Sequence, residues 1–516
     1  MMTKSRLTGI IFILSLGMTI PYVHADDLIP IERVPIPIFK PQISPAAAQS
    51  SQGSLSRNNV PATSQATTNE NQQVEMTVAD VVFLSIRNNR TIKSSYINRI
   101  SQKFDLRVAE DRFTPQFSID GSLSRQRIAG VHTNLYDISP GVNMITPLGT
   151  TFDFAWNVSG SSSDNYNTLD NNIDMSISQP LLRGAGVTVN MAPVNVARLQ
   201  EKINKLHLKT TVSETIGQAI LAHRDLLQAQ EELRLANEAV IRGQETLQQN
   251  RSLIAAGRMA EVDAVQTEAD LENQKLRVLQ AQQTIEDRRL NLLDILNLDL
   301  STPLVAKEEF KLKKIPIDLR KLFDTALLNR EDYQSQLYVI DQNKLNVKVA
   351  ENQQLWDISL FAQGTYGTQK QTDLPDTRTR NGKVGIQLSI PLNDLTIKQQ
   401  LVQADTTTRT SELQLDIIKS GIERQIRTSA TEVKIYWQQA KTAQTSLDLA
   451  RRALEVEKTK LNAGRSSTFE VRSMEQNLRD AETQLVNARI NYLNALTRLD
   501  LQLGTTLETW QVSLND

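Results

Sequence analysis

The sequence contains no cysteine, which removes disulfide scaffolds, iron–sulfur clusters, thiol catalysis and thiolate-bound zinc together. Its four histidines, His24, His132, His207 and His223, are too scattered along the chain to suggest a metal site. Aromatic residues make up only 5%, and 20 glycines and 16 prolines in 516 residues are few for a chain built wholly as a sandwich or barrel. Neither charge sign is in excess: 57 basic residues face 58 acidic ones, unlike the basic surplus of a general nucleic-acid binder. Mean hydropathy is polar at −0.34, which excludes a polytopic helical membrane protein. Length alone predicts three or four globular units, an expectation that the repeats described below replace with two.

What is present begins with an export signal. Residues 1–25 carry Lys4 and Arg6, an uncharged apolar stretch from Leu7 to Ile20, and Val23-His24-Ala25 before Asp26, the layout of a cleaved signal peptide. The other reading, an uncleaved anchor, needs a longer apolar run. No cysteine follows to carry a lipid. Removing the signal leaves 55 basic and 58 acidic residues, a net of −3. Residues 26–75 read as a disordered linker: Pro30, Pro35, Pro37, Pro41 and Pro45 precede a Ser/Gln/Asn/Thr-rich tract from Gln49 to Gln73, too polar to bury a core.

An internal duplication organises the rest. Val108-Ala109-Glu110 recurs as Val349-Ala350-Glu351, Asn89-Arg90 as Asn329-Arg330, Pro180-Leu181 as Pro391-Leu392, and Ala256-Gly257-Arg258 as Ala463-Gly464-Arg465. Leu300–Leu304 recurs loosely as Leu503–Leu507. The order is conserved between the halves, so 76–304 and 305–516 are two copies of one unit. Leu226, Leu233, Val240, Leu247 and Ile254 stand seven apart, as do Ile426, Val433, Ala440, Leu447, Leu454 and Leu461. A second, small-residue stripe runs through Ala222, Ala229, Ala236 and Gly243. New seams are expected after each glycine, at Val265, Leu279, Leu293 and Leu300, and at Val471, Leu478, Leu485, Tyr492 and Leu499. A strict heptad means supercoiling helices, and two stripes mean neighbours on both sides. The span from Pro193 to Gly257 is about 95 Å at 1.5 Å per residue.

Between short and long helices the period changes to two. Phe117, Ile119, Gly121 and Leu123 alternate with serine and aspartate, as do Met175 and Ile177. Phe152, Phe154, Trp156 and Val158 alternate with Asp153, Ala155 and Asn157, Ile358, Leu360 and Ala362 with Ser359, Phe361 and Gln363, and Val384, Ile386, Leu388 and Ile390 with Gly385, Gln387 and Ser389. Such strands have one apolar and one polar face. A soluble sheet would give the same pattern, but the export signal, the strand lengths of about ten residues and the polar loops favour a transmembrane barrel. One chain has too few strands to close it, and open edges are not tolerated in lipid, so several copies must join. Glu110 to Pro180 spans 70 residues against 40 from Glu351 to Pro391. The surplus, near 131–160, is either added barrel strands or a long outer loop.

This order of elements, with the QPLLRGAG stretch at Gln179–Gly186 and the matched tips after Gly257 and Gly464, resembles the TolC family of outer-membrane efflux and secretion channels over roughly residues 76–508. The resemblance implies a fold that is mainly α with a transmembrane β part: a homotrimer sharing one β-barrel continuous with a long α-helical coiled-coil barrel in the periplasm of a Gram-negative bacterium. It implies a periplasmic adaptor and an inner-membrane pump docking at the tips. It also implies acids at the second tip, which fall on Glu470 and then on Ser473, where the acid is missing, and a matching acid at Asp263 of the first. The family's basic partner position lands on Ser466, with Arg465 and Arg472 close by and Arg258 at the first tip. The alternative is that the tips are solvated turns. Tyr136, Phe152, Trp156 and Trp356 are candidates for an interfacial aromatic girdle, or pack inside.

Catalytic signatures are missing. Gly184 and Gly186 lack the third glycine and strand–helix context of a phosphate loop. No nucleophile elbow, zinc motif or Walker loop occurs, and Glu231-Glu232 lies on a charged helix face. The expectation is a passive outer-membrane duct of a tripartite efflux or type I secretion system, without cofactor and without enzymatic activity, for drugs, small molecules or proteins. The rival is a soluble periplasmic coiled-coil adaptor or scaffold.

Overall fold

A computed structural model describes residues 73–514 other than 129, 164, 165, 258, 310–312 and 393. The expected signal peptide and residues 26–72 lie outside the described residues. The strand β1 (Val74–Met76) starts two residues before the expected repeat boundary and pairs in parallel with β6 (Leu304–Ala306), which crosses the other boundary.

The two copies run in the same order. The first has α1 (Val78–Asn88), α2 (Arg90–Glu110), four strands, β2 (Gln116–Ile128), β3 (Val131–Ile145), β4 (Thr151–Ser163) and β5 (Asn167–Pro180), a short α3 (Val187–Asn190), then α4 (Ala192–Ala255) and α5 (Glu261–Leu296). The second has α6 (Leu319–Asn329), α7 (Glu331–Gln353), β7 (Asp357–Gln371), β8 (Thr377–Ser389), α8 (Leu395–Asn462), α9 (Thr468–Leu503) and the short α10 (Thr506–Thr509). Local chemistry starts these helices. Thr77 and Asp80 form a capping box on α1, and Asn89 caps α2 by accepting from the N–H groups of Thr91 and Ile92, satisfying donors the helix cannot.

The surplus of the first copy is a hairpin of strands. The sheet is an antiparallel meander in the order β2-β3-β4-β5-β7-β8, with β3 and β4 added to what the second copy supplies. Their turn is pinned below: Gly186 N–H donates to Leu148 O at 3.1 Å, and Asn190 Nδ2 holds Gly184 O at 2.8 Å. Gly149 sits so close that a Cβ would meet Gly184 O at 2.4 Å. The Gly184–Gly186 stretch therefore turns strand into helix, with φ of +79° and +97° that favour glycine.

A row of directly paired residues crosses the sheet from Phe117 through Val142, Phe154, Met175 and Gly364 to Gly382. Phe117 is one residue from the start of β2, whereas Gly382 is seven from the end of β8. This six-residue slip over five strand spacings, at ~3.4 Å per residue and ~4.8 Å per strand, tilts the strands by about 40°. Closed barrels need that tilt. No described helix is long and apolar enough to cross a membrane.

In the second copy the heptads pack as read. Ala440, Leu447 and Leu454 of α8 meet Val471, Leu478 and Leu485 of α9 in one buried cluster, and Ile426, Val433, Tyr492 and Leu499 extend it. Each fully buried leucine contributes about 1.5–3 kcal/mol. The first copy corrects the reading after Gly257. Val265, Leu279 and Leu300 are exposed, the first two at 63% and 62%; only Leu293 of that seam is buried. The inward positions of α5 are Leu271, Gln274, Leu292 and Leu296. A polar Gln274 breaks the apolar spacing, because Gly243 of α4 leaves room for a longer side chain there. Near the repeat ends, adding 207 carries Asn297 onto Gly504, and these are the left-handed caps of α5 and α9.

Where the two copies meet, His223 of α4 bonds Met76 O at 3.0 Å. Beside it Arg224 grips Glu308 and donates to Leu493 O and Thr497 Oγ1.

Candidate functional site

The far ends of the two long hairpins are built around glycines. Gly257 (φ +65°) and Gly464 (φ +70°) each donate back to the helix, to Ile254 O and Leu461 O, both at 2.9 Å. Left-handed backbone after a helix favours glycine. The tips then differ. The first residue before α5 is Ala260, which offers no side-chain cap, whereas Ser467 and Glu470 form a capping box on α9. The Glu470 carboxylate accepts from Ser467 N–H at 2.8 Å and from Ser466 Oγ at 3.0 Å. These bonds, the backbone one foremost, hold its pKa below the usual glutamate value. Ser466 also donates to Glu457, which with the Lys460 ammonium lowers that carboxyl.

Behind the tips, charged pairs join one hairpin to the other. Arg472 of α9 donates to Asp270 of α5 at 3.1 Å, with both side chains about one-third exposed. Thr246 of α4 donates to the buried Glu475 at 3.0 Å, and Lys458 approaches the same carboxylate at 3.4 Å. Arg242 meets buried Glu482 at 3.1 Å. The Gln274 amide donates to Ala239 O at 2.6 Å and accepts from Arg479 at 3.2 Å; burial lowers the Arg479 pKa. Thr246, Asp270, Gln274, Arg472, Glu475 and Arg479 line a polar cleft of about 770 Å³ between the hairpins.

Of the residues expected at the tips, Gly257 and Gly464 form the turns, Arg472 makes the cross-hairpin pair and stacks 5.3 Å over Phe469, and Ser473 lines the cleft. Glu470 is committed to capping. Arg465 is exposed, and its side chain has no partner among the described residues. Asp263 falls in the first turn of α5, but its side chain, like all of Arg258, lies outside the described residues. The partner of Arg472 is Asp270, a residue that aligning the tips did not reach. Its signal was available: it lies two helical turns after Asp263, on the side of α5 that carries Thr267 and Gln274.

On the sheet, Tyr136, Phe152, Trp156 and Trp356 are all partly exposed, and strand alternation puts them on the apolar face. Trp356 stands just before β7. Tyr136 lies across Gly160, where a Cβ would sit 2.1 Å from its ring, and Trp156 Nε1 donates to Asn171 at 2.6 Å. Among the described residues no group of three or more acids or histidines could hold a metal.

This architecture has relatives. The profile of the outer membrane efflux protein family matches residues 83–298 and 322–505. The fold is similar to the CmeC outer membrane channel of Campylobacter jejuni at 18% identity and a TM-score of 0.63, covering 87% of this chain and 94% of that one. It is similar to the outer membrane protein VceC of Vibrio cholerae at 14% identity and 0.63, covering 83% and 96%. It is also similar to the open state of the Neisseria gonorrhoeae MtrE outer membrane channel at 14% and 0.61, covering 83% and 88%. No curated protein matches at the sequence level. With the family profile matched within both repeats, the chain belongs to the outer membrane efflux protein family.

Proposed function

We propose that three copies of this chain form a passive exit duct across the outer membrane and periplasm, energised by an inner-membrane pump reached through a periplasmic adaptor. The observation that carries the reading is a pair of unsatisfied surfaces on one chain. The sheet ends in two open edges, β2 and β8, which lipid does not tolerate. The long helices carry a second stripe still uncovered: Ile435, Leu449 and Val456 on α8 at heptad spacing, with Val265 and Leu279 on α5. Joining copies edge to edge covers both at once. Six strands from each of three copies make 18, a size that leaves an aqueous channel. The apolar face, with Phe152, Trp156, Tyr136 and Trp356, meets lipid, and its aromatics mark the interfaces.

At the other end, the tips around Gly257 and Gly464 form the aperture and the adaptor-docking surface. The pairing of Arg472 with Asp270 and the acids at Glu470 and Asp263 support closure there. The duct performs no chemistry and needs no cofactor; its cargo is set by the pump. Purified protein is expected to migrate as a detergent-resistant trimer, to fractionate with the outer membrane, and to conduct in planar bilayers. Recovery of the mature chain in the soluble periplasmic fraction would overturn the reading and favour an adaptor or scaffold instead.

A further inference from the structure

The two edge strands share a charge pattern on their apolar face. Along β2 from its lower end come Phe117, Ile119, Gly121 and Leu123, then Arg125 and Arg127; along β8 from its lower end come Leu388, Ile386, Val384 and Gly382, then Arg380 and Arg378. In both strands the arginines stand nine and eleven residues from the end, at Gln116 or Ser389. All four are exposed, and none of their side chains has a hydrogen-bond or ion-pair partner among the described residues. Tyr136 flanks the β2 pair, one row below it beside Leu123, and Tyr366 is directly paired with Arg380. Among the described residues no other strand of the sheet carries an arginine on this face.

We propose that these four arginines form, at each junction between copies, a site for the monoester phosphates of outer-leaflet lipid, whose net negative charge a zwitterionic headgroup lacks. The inference rests on the trimeric barrel proposed above. When β2 of one copy pairs with β8 of the next, the two mirrored patterns become neighbours, and Arg125, Arg127, Arg378 and Arg380 converge at one height. Nine residues at ~3.4 Å along a strand tilted by about 40° rise roughly 23 Å. That is the top of an apolar band of about 25 Å, where headgroups begin. Four uncompensated guanidinium groups on adjacent strands, rooted about 5 Å apart across the junction and about 7 Å apart along each strand, repel one another, and they lie on the side of the barrel that faces lipid, not the lumen. Guanidinium forks match phosphate bidentately. A phosphorylated headgroup satisfies the charge while its acyl chains cover Leu123, Val384 and Ile386 below. The junction is thereby cemented by lipid at the position where protein–protein contact is electrostatically poorest.

The test uses the full-length protein in phosphatidylcholine vesicles with or without lipid A. The readouts are the trimer dissociation temperature and co-retained phospholipid by native mass spectrometry. Lipid A is expected to raise the dissociation temperature of the native trimer and to be retained. Arg125→Gln/Arg127→Gln and Arg378→Gln/Arg380→Gln are each expected to weaken retention about 30-fold, at roughly 1 kcal/mol per arginine at an anionic surface. In phosphatidylcholine alone the same variants should dissociate at a higher temperature than the native protein, because repulsion is relieved; a merely structural role would not reverse sign with lipid. Equal retention by the variants, equal retention of dephosphorylated lipid A, or full stabilisation by inorganic phosphate without lipid would each overturn the proposal. Conductance and trimer mass on the same sample report separately on the channel. A conducting trimer without lipid preference defeats the arginine site alone, whereas a non-conducting monomer defeats both.

Discussion

At the scale of single residues, His223 couples the seam between the two copies to pH. Its imidazole is buried against Met76 O, with Nδ1 unpartnered among the described residues. Burial, more than any neighbouring charge, lowers its pKa from 6.5. The folded protein thus takes up this proton at lower pH than the unfolded chain, and the contribution it makes is present above 6.5 and lost as pH falls below it. His223→Gln retains a donor toward Met76 O but does not titrate. Thermal unfolding is expected to show a shallower loss of stability between pH 6.5 and 5 in this variant; an unchanged slope would remove His223 as the cause. Glu331 acts with the opposite sign. Burial raises its pKa, and Lys209, 3.8 Å away, offsets this only in part. Its cost is present above the raised pKa and vanishes as pH falls toward 4.5. Glu331→Gln should stabilise by about 1 kcal/mol at pH 7 and by little at pH 4.5, read as a Tm difference at the two pH values. At the tips, a pair as exposed as Arg472–Asp270 contributes roughly 0–1 kcal/mol, weak enough to be opened. Asp270→Asn is expected to raise the resting conductance of reconstituted protein by up to about fivefold, and Asp270→Arg/Arg472→Asp to return it toward the native level. Of these residues only Arg472 stood out in the sequence. His223 and Glu331 did not, because burial of a polar group at the meeting of two repeats leaves no local periodicity, and Asp270 lay beyond the aligned tip. The tip glycines did stand out, since left-handed turns restrict residue choice.

At the scale of elements, the duplication made most of the fold legible. The seam Ile426–Leu454 and its partner Val471–Leu499 are buried as the heptads imply. The first copy was less legible after Gly257, because α5 buries Leu271 and Gln274 and leaves Val265 and Leu279 uncovered; a heptad does not say whether its partner belongs to the same chain. The surplus of residues in the first copy was visible too, yet strand and long loop share the same alternation and polar content until pairing is known. Pairing makes it a hairpin whose removal should be tolerated. In the second copy β7 and β8 are joined by residues 372–376 and pair directly. Deleting residues 131–163 would join β2 to β5 through 129, 130 and 164–166, a connection of the same length. Both strands keep their direction, so the shortened sheet has four strands in the same up–down order. Barrel diameter grows roughly linearly with strand number, so the variant should still form trimers but conduct at about half the native level or less. Native conductance in the deletion variant would show that the added hairpin does not widen the duct.

At the scale of the whole molecule, the near-neutral charge of the sequence conceals a sorted distribution. Strand alternation collects Asp120, Asp137, Asp153, Asp170 and Asp174 on the polar face of the sheet, with Lys383 the one basic residue there among the described strands. Asp357, at the lower end of the same face, is neutralised by Arg183 at 2.6 Å. The free carboxylates are held by neutral donors: Asp174 by Asn157 Nδ2 and Thr365 Oγ1 at 2.8 and 2.6 Å, Asp153 by Ser176 Oγ at 3.1 Å. Such donors fix the side chains without cancelling their charge. The one ammonium is drawn over the Phe361 ring at 5.1 Å, not onto an aspartate. The arginines of the sheet lie on the opposite face, so they do not compensate the lumen. A closed barrel would therefore present a negatively charged wall three times over, and a wide pore with such a wall admits cations in preference to anions. The reversal potential of reconstituted protein under a potassium chloride gradient is expected to be cation-selective. The preference should fade as salt rises, because screening shortens from about 10 Å at 0.1 M to about 3 Å at 1 M. Asp153→Asn/Asp174→Asn should move the reversal potential toward zero without reducing trimer yield, whereas neutralising the outward Arg125 and Arg127 should leave it in place. Anion selectivity of the native pore would mean that the faces are assigned the wrong way round.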